Sequence, residues 1–145
     1  MYQISETCTP YTHRSDRPQI TGPADMAPLL APYAGIAQEV FFVALLDARY
    51  RVIELGAVTI GTANSSLVHP RDVYRRAVER NAVAVLVAHN HPSGDPTPSA
   101  DDIALTRRLT LAGDIIGITL LDHLIIGDET VSLREANADA FTRSE

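Results

Sequence analysis

Residues 82–102 read AVAVLVAHNHPSGDPTPSADD. Residues 82–88 are apolar throughout, and His89, Asn90 and His91 follow them without a break. An apolar run of that length fits a strand buried on both faces of a sheet. Residues 89–99 then carry three prolines and one glycine, a composition that disfavours regular structure. Ser99 suits the N-cap of a helix running to about Ala112, with Gly113 as its stop.

Working outward, residues 40–46 form a second apolar run rich in Val, Phe and Leu, read as a buried strand. Residues 47–50 make a turn, and 51–60 continue as a partly alternating strand, so the pair suggests a hairpin. Residues 61–66 read as a polar loop. Pro70 opens a helix over about 71–80 that gathers Val73, Tyr74, Ala77 and Val78 on one face, with Asn81 as its C-cap. Upstream, 23–33 is a short, proline-interrupted helix, and 1–22 an extension without a packing pattern. Downstream, 118–126 supplies one or two strands, 130–133 a short last strand, and 134–145 a polar tail with helical character. Strands and helices interspersed in this way indicate an α/β (α+β) domain with a central mixed sheet. The expected division is an extension (1–22), one domain (23–135) and a C-terminal tail (136–145).

The bulk numbers agree with one domain: 145 residues, 46% hydrophobic. No apolar run is long enough to span a bilayer and the N-terminus has no secretory h-region, so a soluble, cytoplasmic protein without membrane contact is the default expectation. The single cysteine, Cys8, permits no internal disulfide and has no recognisable partner group. Every basic side chain other than histidine is arginine, which excludes lysine Schiff-base chemistry and a P-loop lysine. The formal charge of −6 disfavours sequence-blind binding to a polyanion.

His89 and His91 stand two apart at a strand end. In extended backbone, side chains at i and i+2 project to one side, so two imidazoles can converge on one ion. Asp102 lies in the first turn of the following helix, which the proline-rich loop can fold back over them. Two histidines and an aspartate suit zinc, and three protein ligands leave a fourth position for water, the catalytic arrangement. A carboxylate must then accept the water's proton. Glu39, where the chain enters the first apolar strand, is the best candidate, with Asp47 and Glu54 as alternatives.

The segment HNHPSGDPTPSADD resembles the JAMM motif: HxH, seven residues, then SxxD, with His91, Ser99 and Asp102 in register. It also resembles the RadC branch of the JAB/MPN superfamily, whose signature is HNHPSG, and the likeness runs over about 36–135. The resemblance implies a single MPN/JAB-type, cytidine-deaminase-like domain. It implies zinc on His89, His91 and Asp102, Glu39 as the base that activates water, and Ser99 as an oxyanion-stabilising group. It further implies a metalloprotease-type hydrolase acting on a peptide or isopeptide bond, with a peptide or protein as partner. The alternative is a DNA-repair-associated accessory protein, as RadC relatives are labelled, without hydrolase activity. RadC proteins usually carry an N-terminal helix-hairpin-helix region; the residues ahead of the domain do not resemble it, which disfavours a nucleic-acid partner.

Plainer readings compete at several positions. Ser99 and Asp102 also spell a capping box, and Asp102 is expected to serve the metal in preference to the cap. His69 reads as a structural residue at a helix start. His123 reads as a satisfied structural histidine in preference to a second metal site, with a contact to a metal ligand as a further alternative. Arg71, Arg75, Arg76 and Arg80 read as a solvated helix face, with a surface for an acidic partner as the alternative. Asn90 and Ser93 either orient the loop or touch substrate.

Overall fold

The computed structural model describes residues 9–33, 36–60 and 68–142. The polar loop expected at 61–66, together with Cys8, lies outside these residues.

Six strands form one mixed sheet: β1 (Thr9–Pro10), β2 (Val40–Leu46), β3 (Val52–Ile60), β4 (Ala84–Asn90), β5 (Thr119–Ile126) and β6 (Thr130–Ser132), in the order β1-β3-β2-β4-β5-β6. All neighbours are antiparallel except β4 and β5. A parallel pair needs a crossover, and α3 (Ala100–Ile116) supplies it. The expected hairpin of β2 and β3 is present.

Every residue of β2 and β4 is buried, because both faces of the sheet are covered. Side chains alternate between the faces. Phe41, Val43, Leu45, Val85 and Val87 pack with Val73, Tyr74 and Ala77 of α2 (Pro70–Glu79) and with Leu105 and Leu109 of α3. Phe42, Ala44, Leu46, Leu86 and Ala88 pack instead with Ile20, Met26 and Leu30. That second cover is the proline-broken stretch 23–33, which forms two 3-10 turns around one α-helical turn, α1 (Ala27–Leu30).

The structure corrects several expectations. The described part of the N-terminal stretch packs against the sheet: β1 pairs with β3, Gln19 bridges to Arg51, and Ile20 is buried. The tail is partly core, since a 3-10 turn buries Ala140 and Phe141; Leu133, expected to end the last strand, is instead the buried first residue of α4 (Leu133–Ala136). Val78 is 55% exposed, although Val73, Tyr74 and Ala77 of the same helix are buried. The helix α3 does not stop at Gly113. It continues to Gly117, whose φ of 88° makes the left-handed cap. Gly113 serves packing instead, since a Cβ there would meet the Ile118 carbonyl at 2.3 Å and the Tyr74 hydroxyl at 2.6 Å. Arg76 and Arg80 are not simply solvated: Arg76 chelates buried Glu54 at 2.8 and 2.9 Å, and Arg80 stands 3.8 Å from it.

Candidate metal centre

Strand pairing brings the site together. Phe41 of β2 lies opposite His89 of β4 in an antiparallel pair. That is the last pair of the ladder, and Glu39 stands just ahead of β2 with its Oε1 3.8 Å from His89 Nε2, while His91 stands just past β4. Asp102 arrives from the first turn of α3.

The distances are short. His89 Nε2 lies 3.0 Å from His91 Nε2, 3.2 Å from Asp102 Oδ1 and 3.8 Å from Glu39 Oε1. His91 Nε2 lies 3.5 Å from Asp102 Oδ2. One donor atom each from Glu39, His89 and His91 falls within 4.8 Å of the others. His89 and Asp102 are buried, while Glu39 and His91 are partly open to solvent. Nitrogen and carboxylate donors at such mutual distances, with two of them reaching solvent, suit a divalent ion such as zinc with a position left for water. His91 is oriented for this by the loop, since its Nδ1 lies 2.8 Å from the Asp95 carbonyl. A carbonyl only accepts, so Nδ1 carries the proton and Nε2 faces the site bare.

Asp102 serves the cap and the site together, contrary to the expected competition. Its Oδ2 accepts the Ser99 N–H at 2.8 Å while Oδ1 faces His89. Ser99 Oγ accepts the Asp102 N–H at 3.1 Å, closing the capping box. The two readings are compatible because a carboxylate has two oxygens and the cap leaves one of them turned toward the histidines.

Electrostatics divide the acidic groups. Burial pushes the Glu39 carboxyl above its ordinary value, against the pull of His89 and His91. Burial also acts upward on Asp102, but the neighbouring His89 ring and the bonds with Ser99 outweigh it. Asp102 therefore sits well below the usual carboxylate range.

Of the alternative carboxylates, Asp47 closes the β2–β3 turn by accepting the Arg49 and Arg51 N–H groups. That turn is at the other end of β2 from Glu39. Glu54 is held by Arg76. Neither joins the cluster. His69 caps α2, its N–H donating to Asp72 at 3.3 Å.

Asn90, undecided from sequence, points to the opposite face from its two histidine neighbours. Its Oδ1 accepts the Val40 N–H at 2.7 Å, and its Nδ2 donates to the Gln38 carbonyl at 2.9 Å. These bonds bracket Glu39 and fix the backbone that carries it. Ser93 Oγ accepts the Asp95 N–H at 3.3 Å within the loop. The loop is seated on the β5–β6 turn: Gly94 has a φ of 88°, and its carbonyl accepts the Asp128 N–H at 2.6 Å.

Behind the cluster, His123 of β5 is fully buried. Its Nε2 lies 2.8 Å from His89 Nδ1, and its Nδ1 lies 2.7 Å from Thr106 Oγ1. Burial holds the His123 imidazole well below the usual histidine range, so it is neutral. Of the sequence alternatives for His123, the contact with His89 is the one observed. Thr106 was not singled out at all; the available signal was its place four residues after Asp102, on the same helix face.

The model of the RadC-like JAB domain matches residues 20–138. A UPF0758 protein of Alkaliphilus oremlandii (strain OhILAs) is 47% identical over 111 residues, covering 76% of this chain and 48% of that protein. One from Moorella thermoacetica is 48% identical over 123 residues, 83% of this chain and 54% of its own length. One from Pelobacter propionicus reaches 56% over 91 residues, 63% of this chain and 40% of that protein. The chain thus spans about half the length of these relatives. A match over residues 20–138 takes in the whole six-stranded sheet except β1, and on that ground the chain belongs to the RadC-like JAB domain family.

Proposed function

We propose that this domain is a zinc-dependent metallohydrolase that cleaves a peptide or isopeptide bond in a peptide or protein substrate. The observation that carries the reading is the convergence of His89 Nε2, His91 Nε2 and Asp102 Oδ1 beside the Glu39 carboxylate. His89, His91 and Asp102 would hold the ion. Zinc, when bound, supplies Lewis acidity and lowers the pKa of water to about 7.

The remaining chemistry falls to the chain's own groups. Glu39 takes a proton from the attacking water and delivers it to the leaving nitrogen, a task favoured by a carboxyl whose proton affinity burial has raised. Asn90 keeps Glu39 at that station through its bonds to Val40 and Gln38. Ser99 Oγ is used as an acceptor in the cap, which leaves its O–H free to donate to a developing oxyanion.

The test is metal analysis together with turnover on a fluorogenic peptide library and isopeptide-linked substrates. About one zinc per chain is expected, and Glu39→Gln should retain it while losing roughly 100-fold or more of the rate. Turnover undiminished in Glu39→Gln would remove Glu39 as the base. Zinc-loaded protein that hydrolyses nothing but binds DNA in a salt-sensitive way would overturn the reading in favour of an accessory role.

A further inference from the structure

We infer that Thr106 and His123 form a relay that sets the tautomer of His89, so that its Nε2 faces the metal centre without a proton. The relay rests on hydrogen-bond geometry alone; its consequence for zinc rests on the function proposed above.

The proton positions follow in order from one fixed point. The backbone carbonyl of Asp102 has lone pairs and no hydrogen. Thr106 Oγ1 lies 2.7 Å from it, so the threonine's single hydroxyl hydrogen is committed there. His123 Nδ1 lies 2.7 Å from the same Oγ1, which now has only lone pairs to offer. His123 Nδ1 must therefore be the donor. A neutral imidazole protonated on Nδ1 is bare on Nε2. His123 Nε2 lies 2.8 Å from His89 Nδ1, so here His89 donates. Neutral His89 is then bare on Nε2, the atom 3.2 Å from Asp102 Oδ1 and 3.0 Å from His91 Nε2.

The chain of bonds starts at the carbonyl of Asp102 and ends at His89, whose bare Nε2 faces the Asp102 carboxylate. It ties β4, β5 and α3 together around the site. All three relay side chains, His89, His123 and Thr106, are 0% exposed, so water offers no alternative partner. The arrangement leaves two imidazole lone pairs and a carboxylate facing one another, which only a cation can reconcile, be it a metal ion or a proton.

Histidine ligands are commonly oriented by a carboxylate or carbonyl behind them. Here the acceptor is another imidazole, which can donate as readily as accept. Thr106 removes that ambiguity. Without its hydroxyl, His123 is free to carry its proton on Nε2 and donate to His89. That moves the His89 proton onto Nε2, where it blocks the metal. Thr106 is thus a positioning residue that touches neither ion nor substrate.

The experiment compares wild type, Thr106→Val and Thr106→Ser. Long-range proton–nitrogen spectra of the imidazole rings, recorded on metal-free protein at a pH of about 8, read the tautomers directly. Calorimetric zinc titration reads the consequence. Wild type and Thr106→Ser should show His89 protonated on Nδ1. Thr106→Val should show proton density on His89 Nε2 and bind zinc about 10- to 100-fold more weakly. A wild-type His89 protonated on Nε2, or a folded Thr106→Val that keeps the wild-type spectrum and affinity, would overturn the relay. If wild type bound no zinc, the metallohydrolase reading would fail, yet the ring spectra would still decide the relay. If Thr106→Val did not fold, the spectra of wild type and Thr106→Ser would decide it.

Discussion

His89 and His91 are chemically the same and two residues apart, yet the protein holds them in opposite ways. His89 is the last residue but one of β4, with a fully buried side chain whose rear nitrogen meets His123 from β5. His91 stands just past the strand with 19% of its side chain exposed, and its rear nitrogen meets the carbonyl of Asp95, four residues along the same loop. One imidazole is set by the packed interior and the other by local backbone. The difference teaches that a cluster able to hold a metal can combine a buried imidazole with a partly exposed one, each oriented by a separate part of the fold.

The sharpest way to test that contrast is to remove each ring in turn. His89→Ala and His91→Ala should both lose more zinc affinity than the roughly 100-fold that marks the loss of an outer partner. Only His89→Ala should also weaken the metal-free fold. It opens a core cavity and leaves His123 Nε2 without its partner, at a cost of about 2–4 kcal/mol by urea denaturation. Equal stability of the two variants would erase the distinction drawn here.

A middle-sized effect is expected from Gly127→Ala, which attacks the seat of the His91 loop. A Cβ at Gly127 would stand 2.3 Å from the Gly94 carbonyl, so the loop must shift. Stability should fall by about 1–3 kcal/mol, and zinc affinity should fall with it, while the His89 ring spectrum stays as in wild type. A change at His89 would show that the two supports are coupled. The smallest effect belongs to Asp95→Ala. The Asp95 side chain accepts the Thr97 N–H at 3.0 Å and the Thr97 hydroxyl at 2.6 Å, shaping the turn whose carbonyl orients His91. These bonds are exposed and net little, so zinc affinity in calorimetry should drop no more than about fivefold. A larger loss would mean that the loop is less adjustable than its exposure suggests.

Much of the centre was legible beforehand because its signals are local. His89 and His91 share a face by strand periodicity, and Ser99 to Asp102 is a cap at helical spacing. Those spacings lie within one contiguous stretch, where backbone geometry follows directly from sequence. Other features were illegible for the opposite reason. Gly113 looked like a helix stop, and only the approach of Tyr74 and the Ile118 carbonyl reveals it as a packing glycine. The polar tail looked loose until Ala140 and Phe141 were seen in the core.

The amino-acid sequence by itself determined which residue types gather near the end of β4: two imidazoles, a capping carboxylate and a loop too rich in proline to be regular. Tertiary structure alone decided that β2 pairs with β4 in the register that sets Phe41 across from His89 and brings Glu39 beside the histidines, and that β5 lies parallel to β4 with His123 behind His89. The reason is physical. Cross-strand register and the partners of a buried nitrogen depend on residues tens of positions apart, and those meet only when the sheet and its helices pack.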